Sequence, residues 1–182
     1  MTVGKTHSGK TTFARLLEQR LENSFVMDQD NQAEFINTHY EKLLPKTGPN
    51  ILKNSLTRFI VDYAIENTNL HLIICNSNRS ITNRKTLFDE VFTSEKFIRI
   101  LVNFDIADEI LLNRVKQSER STNIFRGSYS NFEQVLLRQQ KESFKEDIVD
   151  PSIDEAEYLF VIKSNEDVDS VIHEIIQIAK CL

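Results

Sequence analysis

The most informative stretch of the chain is Gly-Lys-Thr-His-Ser-Gly-Lys-Thr at residues 4–11. It fits the phosphate-binding pattern G-x-x-x-x-G-K-[ST], the P-loop. Gly4 and Gly9 allow the tight turns that aim several backbone N–H groups at one phosphate. Lys10 supplies a positive charge for the β- and γ-phosphates, and the Thr11 hydroxyl is placed to ligate Mg²⁺. We therefore predict a site for ATP and Mg²⁺; the alternative is a glycine turn that precedes an ordinary helix.

A helix is predicted directly after this loop. Phe13, Leu16, Leu17 and Leu21 recur at helical spacing, so the positive end of the helix dipole would lie under the phosphates. The His7 imidazole is expected to point outward as a spectator, because P-loops accept varied side chains there. The residues expected to contact the nucleotide are Gly4, Lys5, Thr6, His7, Ser8, Gly9, Lys10, Thr11, Thr12 and, from a later helix, Arg114.

The strand that precedes the loop is short in the sequence. A P-loop normally follows a buried parallel strand of about five residues, yet only Met1, Thr2 and Val3 precede Gly4. Either this first strand is unusually short, or the natural start lies upstream of Met1. The second explanation is favoured, because a central strand without its upstream half weakens the sheet where the loop is anchored.

The composition is that of an ordinary globular domain. Of the 182 residues, 40% are hydrophobic and 27% are charged, so the chain can bury a core. A net charge of −5 argues against a protein that coats nucleic acid. If a nucleic acid is a substrate, we expect only a short end of the strand to bind. No apolar run reaches the roughly 18 residues that span a bilayer, so no membrane partner is expected. Cys75 and Cys181 make no disulfide framework, which favours a reduced, cytoplasmic location.

Beyond the loop, apolar β-type runs alternate with helical periods, which is typical of β-α-β units. Strands are predicted at 24–27, 70–75, 97–104 and 158–162, and helices at 31–44, 51–67, 81–92, 105–116 (with Asp105 as N-cap), 131–147 and 168–179. The polar stretch 117–130 is predicted to be a mobile lid. The prediction is a single α/β domain over 1–182 with the P-loop NTPase fold. Its five-stranded parallel sheet has the order 2-3-1-4-5, with helices on both faces and ligands at the carboxyl ends of the strands.

Two carboxylates follow the second strand, at the edge of the sheet where the P-loop opens. Either Asp28 or Asp30 could accept the proton of an attacking hydroxyl, and the other could hold Mg²⁺ through water. The alternative is that they cap the next helix, which contributes about 1 kcal/mol.

A polar triplet, Asn76-Ser77-Asn78, follows the third strand, and Arg84 comes shortly after it. P-loop motors often place an acidic residue at this strand end for the metal, so Asn76 disfavours an ATPase motor. Asn76, Asn78 and Arg84 are candidates for contacts to a substrate. Capping of the next helix is the alternative for the triplet.

Arg114, Lys116, Arg120 and Arg126 form a positive cluster in an acidic protein. A guanidinium that closes onto the transferring phosphoryl group neutralises charge on its equatorial oxygens. Arg114 and Arg120 are candidates for this role, and a solvated cationic surface is the alternative. The remaining histidines show no metal-ligand spacing, so no zinc site is predicted.

The order of these motifs resembles the P-loop kinases of the zeta-toxin and polynucleotide-kinase type over nearly the whole chain. Residues 25–30 resemble the family's second strand, which implies that Asp30 activates the acceptor hydroxyl and leaves Asp28 with Thr11 for Mg²⁺. The helix and lid that follow the fourth strand resemble those that carry the adenine-side and transition-state arginines, which implies these roles for Arg114 and Arg120.

The sequence departs from this family at three places. Thr6-His7 stands where Pro-Gly is usual, Ala33 where Arg is common, and Asn76 where a kinase of 5′-hydroxyl ends has Asp. The last two departures argue against polynucleotide 5′-kinase activity and leave ATP binding untouched.

The expected function is an ATP-dependent kinase that transfers the γ-phosphoryl group to a hydroxyl of a small-molecule acceptor. The alternatives are a polynucleotide 5′-hydroxyl kinase, and a nucleotide-binding switch or ATPase without an acceptor. A GTPase is disfavoured because the chain has no N-K-x-D motif, and a transporter-type ATPase because it has no L-S-G-G-Q stretch. The expected catalytic residues are Lys10, Asp30, Arg114 and Arg120, and the expected substrate contacts are Asp28, Asp30, Asn76, Asn78 and Arg84.

Overall fold

The centre of the computed structural model, which describes residues 1–127 and 129–181, is a five-stranded sheet. Its strands are β1 Thr2–Gly4, β2 Ser24–Asp28, β3 His71–Cys75, β4 Ile100–Phe104 and β5 Tyr158–Ile162. They lie in the order β2-β3-β1-β4-β5, and all neighbours run parallel. The predicted fold class and strand order are therefore confirmed.

Helices connect and cover these strands. They are α1 Lys10–Arg20, α2 Gln29–His39, α3 Ile51–Asn67, α4 Ile81–Glu90, α5 Asp108–Lys116, α6 Phe132–Glu142 and α7 Asp167–Lys180. Short 3₁₀ turns lie at Glu41–Leu43 and Ile153–Glu155. Within the described residues, no helix combines the length and the apolar character that crossing a bilayer requires.

The helices pack on both faces of the sheet, because successive strand side chains point to opposite sides. In β3, Ile73 packs into an apolar cluster with α1, α5, α6 and α7, whereas Ile74 packs into a second cluster with α3 and α4. In β4, Val102 and Leu101 divide between the same two clusters. Water is thus excluded from both faces, and the strand ends remain available to ligands.

Three helix boundaries differ from the sequence-based prediction by three residues or more. The α2 helix ends at His39 and not at 44, and α6 ends at Glu142 and not at 147. The end of α6 is set by tertiary contacts, because Asp147 accepts hydrogen bonds from the backbone N–H groups at the start of α4. The prediction that Asp105 caps α5 was wrong: α5 begins at Asp108 with Ala107 at the N-cap position, and the Asp105 N–H donates to the Ile162 carbonyl at 2.9 Å, which extends the pairing of β4 with β5.

The β1 strand is three residues long, against five in each of the other strands. Its register pairs Gly4 with Phe104 at the end of β4. The loop that follows β1 therefore leaves the sheet at the carboxyl edge, where parallel α/β folds bind their ligands.

Candidate active site

The P-loop begins and ends in backbone conformations that favour glycine. Gly4 has a φ of +147°, and a Cβ atom at this position would lie 3.0 Å from the Cβ of Phe104. Gly9 has a φ of +103° and is the N-cap of α1. The two glycines of the motif are therefore required by a close approach to β4 and by the turn into α1.

The backbone N–H groups of the loop fall into two sets. The Gly4 N–H donates to the Ser77 carbonyl at 2.9 Å, and the Thr6 N–H donates to the side-chain oxygen of Gln139 at 2.7 Å. Among the described residues, the N–H groups of residues 7–12 have no hydrogen-bond acceptor. Free donors of this kind at the N-terminus of a helix can bind an anion such as a phosphate group.

The Lys10 side chain lies within the loop and is buried. Its ammonium group donates to the Lys5 carbonyl at 2.5 Å and to the Ser8 hydroxyl at 3.2 Å. Burial lowers the pKa of Lys10 to about 8, because the charged form loses solvation. A phosphate in the loop would provide the counter-charge that favours the ammonium form.

Thr11 and Asp28 lie together beneath the loop. The Thr11 hydroxyl donates to Asp28 Oδ2 at 3.2 Å, and Asp28 Oδ1 accepts the Asp30 N–H at 3.0 Å. Burial raises the pKa of Asp28, and the hydrogen bond from the Asp30 N–H opposes this shift. Asp28 is thus both the N-cap of α2 and an inward-facing carboxylate, so the two interpretations of this residue are compatible.

The donor set suits Mg²⁺. Hydroxyl and carboxylate oxygens are ligands that Mg²⁺ accepts, and the ion commonly keeps several waters and binds substrate phosphates as well. Among the described residues, no group of three or more His, Cys, Asp or Glu side chains could hold a metal ion. Thr11 and Asp28 would therefore hold Mg²⁺ jointly with water and with the phosphates.

Asp30 is at the first turn of α2 and forms an ion pair with Arg120 from the 117–130 segment. The Asp30 side chain is 44% exposed, so a substrate can reach it. The Arg120 guanidinium also stacks over the Phe132 ring, 5.3 Å from its centroid. Arg120 therefore bridges the two sides of the site.

Arg114 reaches the P-loop from the last turn of α5. Its guanidinium donates to the His7 carbonyl at 3.2 Å and to the side-chain oxygen of Asn165 at 3.0 Å. The loop before α7 thus orients this arginine, a role of Asn165 that no sequence motif indicated.

The His7 ring does not point away from the site as expected. It packs edge-on against Phe132 at 4.8 Å between ring centroids, and its Nδ1 pairs with the Thr6 hydroxyl at 3.0 Å. Burial, with the positive charges of Arg120, Lys10 and Arg114, lowers the pKa of His7 to about 4. The imidazole is therefore neutral at physiological pH and adds no charge to the site.

These groups surround one cavity of about 920 Å³. Of the predicted site residues, the cavity lining contains Thr6, His7, Ser8, Gly9, Lys10, Thr11, Thr12, Asp28, Asp30, Asn76, Arg114 and Arg120. It also contains residues that the sequence-based prediction did not include, notably Gln29, Lys53, Arg138 and Gln139. Lys53 and Gln139 lie on α3 and α6, and no sequence motif specifies where these helices pack, so no local signal could have identified them.

Three predicted site residues have side chains directed elsewhere. Arg84 is fully buried and makes two hydrogen bonds, at 2.7 and 2.8 Å, to Glu155, so its assignment to substrate binding is corrected. The Asn78 amide donates to the Thr2 carbonyl at 2.8 Å and holds the end of β3 to β1. The Lys5 ammonium pairs with Asp108 at 2.5 Å, outside the cavity lining.

Comparison with known proteins identifies the fold. No family model matches the chain, and no curated protein sequence matches it. A sugar kinase from Janibacter sp. HTCC2649 has a TM-score of 0.58 at 17% identity, covering 97% of this chain and 90% of that one. Shikimate kinase from Acinetobacter baumannii has a TM-score of 0.55 at 21% identity, covering 99% and 91%. Shikimate kinase from Bacteroides thetaiotaomicron has a TM-score of 0.55 at 13% identity, covering 98% and 96%. The chain has the fold of these P-loop kinases.

Proposed function

We propose that this protein is an ATP-dependent kinase that phosphorylates a hydroxyl group of a small molecule. The observation that carries the proposal is the convergence of free loop amides, a buried lysine, a Thr–Asp pair and an accessible carboxylate on one cavity. This set provides every function that phosphoryl transfer needs: phosphate binding, a metal site and a proton acceptor. The kinases with the same fold agree with this assignment.

The P-loop residues position the triphosphate. The N–H groups of residues 7–12 and the Lys10 ammonium bind the phosphate oxygens, and Arg114 adds positive charge next to the loop. Thr11 and Asp28 would hold Mg²⁺, which would neutralise phosphate charge when bound. Water is excluded on the helix side by the apolar packing of α1 against the sheet.

Asp30 is the proton acceptor for the attacking hydroxyl. Asp30 forms an ion pair with Arg120. The phosphates of a bound nucleotide would compete with Asp30 for this guanidinium, so the positions of the two side chains depend on each other. When Arg120 moves to the phosphates, it neutralises charge on the transferring group, and the carboxylate becomes free to accept a proton.

The segment 117–130 acts as the lid in this proposal. The side-chain amide of Asn37 on α2 donates to the Asn123 and Phe125 carbonyls at 2.5 and 3.2 Å. These hydrogen bonds hold the segment against α2. Ser128 of this segment lies outside the described residues. The remainder carries Arg120 and Arg126 into the cavity lining.

A kinase is favoured over a switch without an acceptor by the extent of the cavity. Its lining continues past the P-loop and Asp30 to Lys53 on α3 and Arg126 on the lid. The part of the cavity that lies beyond the P-loop and Asp30 would have no use in a protein that binds only a nucleotide. The net charge of −5 favours a small acceptor over a polynucleotide. The finer resemblance to zeta-toxin and polynucleotide-kinase proteins stays a prediction.

The test separates binding from transfer. Calorimetry with the non-hydrolysable analogue AMP-PNP and Mg²⁺ reports nucleotide binding, and labelled ATP with a low-molecular-weight metabolite extract reports transfer. We expect Lys10→Ala to weaken both. Asp30→Asn is expected to keep nucleotide affinity and to lose transfer by about 10²-fold or more.

Asp62→Asn is the matched control, since Asp62 is a carboxylate on α3 that pairs with Arg58 outside the cavity. It is expected to leave both readouts unchanged. Absence of nucleotide binding by the wild type would overturn the proposal, and undiminished transfer by Asp30→Asn would overturn the role of Asp30.

A further inference from the structure

The cavity lining carries more positive than negative side chains. Among the described residues, six Lys and Arg side chains line it and two carboxylates do, although the whole chain has a net charge of −5. The cationic side chains are Lys10, Lys53, Arg114, Arg120, Arg126 and Arg138, and the carboxylates are Asp28 and Asp30. An excess of positive charge confined to one cavity favours anionic ligands.

Four of the six cations have other tasks. Lys10 and Arg114 contact the P-loop itself, at the Lys5 and His7 carbonyls. Arg120 pairs with Asp30, and Arg138 lies near Glu142 at 3.8 Å. Lys53 and Arg126 remain.

Lys53 and Arg126 contact only neutral oxygens. The Lys53 ammonium donates to Gln29 Oε1 at 3.2 Å, and the Arg126 guanidinium donates to the Gly48 carbonyl at 3.0 Å. Within the described residues, neither side chain has a carboxylate at ion-pair distance. Among the described residues, both cations therefore lack a carboxylate partner in direct contact, and Asp30 acts on Lys53 only from a greater distance.

The two cations lie on the acceptor side of the site. Gln29, which holds Lys53, is the residue between Asp28 and Asp30. Gly48, which holds Arg126, comes just before α3, where Lys53 is in the first turn. That turn contains no acidic residue, so the helix dipole adds to the positive potential.

Electrostatics within the protein supports this placement. Burial lowers the pKa of Lys53, and the charge of Arg126 lowers it further, while Asp30 opposes the shift. The effect of Arg126 on Lys53 is smaller than that of Asp30, but it places a second positive charge near Lys53, and a bound anion would favour the charged form of both side chains.

We propose that Lys53 and Arg126 bind a phosphate monoester group that the acceptor carries in addition to its reacting hydroxyl. The proposal rests on the kinase function, and it narrows the substrate class to phosphorylated hydroxy compounds. A phosphate monoester is preferred to a carboxylate because its charge of about −1.5 to −2 at pH 7 matches two uncompensated cations.

The test uses inorganic phosphate as the probe. Wild-type protein saturated with Mg²⁺ and AMP-PNP is titrated with phosphate in a calorimeter, so that the P-loop is already filled. We expect one phosphate to bind, and each of Lys53→Met and Arg126→Gln to weaken its binding by about tenfold or more. Arg58→Gln is the control: Arg58 lies on α3 outside the cavity lining, and this variant is expected to bind phosphate as the wild type does.

Three results would overturn the proposal: no phosphate uptake by the nucleotide-loaded wild type, uptake that both variants retain, or acetate binding as tightly as phosphate, which would indicate a carboxylate. Thermal unfolding of each variant checks that it is folded.

Failure of the proposed kinase function has a different signature, which is that the wild type does not bind AMP-PNP in the calorimeter. In that case the same phosphate titration is run without nucleotide on Lys10→Ala protein, whose P-loop is disabled. If the double variant Lys10→Ala, Lys53→Met no longer binds phosphate, the result would still support a phosphate site at Lys53. If the double variant binds phosphate as Lys10→Ala does, the site would be overturned.

Discussion

At the scale of single residues, the charge of Lys10 depends on what occupies the P-loop. Burial gives its ammonium group a pKa of about 8, so the lysine is increasingly neutral above that pH. Phosphate oxygens favour the charged form and raise the pKa on binding. Nucleotide affinity is therefore expected to fall as the pH rises above 8, because binding must then take up a proton.

This proton can be measured. At pH 8.5, calorimetry in two buffers of different ionisation enthalpy is expected to report uptake of roughly 0.7 proton per AMP-PNP bound, given a free pKa near 8. Lys10→Met is the control, since it keeps an unbranched side chain one atom shorter than lysine and cannot take up the proton. Equal heats in the two buffers for the wild type would show that Lys10 is fully charged before the nucleotide arrives.

At the scale of elements, Arg84 and Glu155 join α4 to the 3₁₀ turn Ile153–Glu155. Their side chains are 0% and 6% exposed, and Arg84 also donates to the Asn78 and Arg79 carbonyls. Glu155→Gln would leave the guanidinium buried without its counter-charge, which is expected to cost about 3–5 kcal/mol of unfolding free energy. Glu157→Gln, whose partner Arg99 is closer to solvent, is expected to cost about 1 kcal/mol or less.

Urea unfolding of the two variants at pH 7 provides the comparison. The hydrogen bonds from Arg84 and from the Ser152 N–H lower the pKa of Glu155, although burial alone raises it. A carboxyl with a lowered pKa contributes stability that is present above its unfolded pKa and is lost as the pH falls. The difference between wild type and Glu155→Gln is thus expected to shrink in acid, and a constant difference would contradict the ion-pair explanation.

Sequence periodicity predicted the presence of the elements better than their ends. The apolar run that became β3 could be recognised because it is buried on both faces, as parallel strands are. The end of α6 could not be recognised, since it depends on a tertiary contact. Asp147 accepts a hydrogen bond from the N–H of Thr82 in α4, and these two residues are 65 positions apart in the sequence. Asp105 is not the helix cap because the chain stays paired with β5 through the Asp105 N–H, so that α5 begins only at Asp108.

At the scale of the whole molecule, the lid and the nucleotide are expected to stabilise each other. Trypsin cuts after arginine, so the lid offers it two sites, Arg120 and Arg126. The Arg120 side chain forms an ion pair with the Asp30 carboxylate of α2. Mg²⁺ with AMP-PNP is expected to slow cleavage at these two sites by about tenfold, because ligand binding suppresses local opening. Mass spectrometry of the fragments measures each site, and cleavage after exposed Lys96, before β4, is the internal control. Equal protection at Lys96 would indicate general stabilisation and not closure of the lid.

The candidate site was predictable where one local motif specifies it. Residues 4–11 carry both the turn and its chemistry, so the phosphate loop could be located from the sequence alone. Asp28 and Asp30 followed from their place after a strand. Lys53 and Gln139 could not be found in this way, because the folding of α3 brings Lys53 to Gln29 and the folding of α6 brings Gln139 to the loop, both from far along the chain. Arg84 was misassigned because sequence does not reveal which arginine a distant glutamate will neutralise.

The hydrogen bond between Gln139 and the Thr6 amide has a practical consequence for spectroscopy. This hydrogen bond joins α6 to the rim of the phosphate loop. On the outer surface of the same helix, Leu137 is 53% exposed. A fluorophore or spin label attached there would report on filling of the loop from outside the cavity. Nucleotide binding could then be followed by an optical signal, with no radiolabel and before any acceptor has been identified.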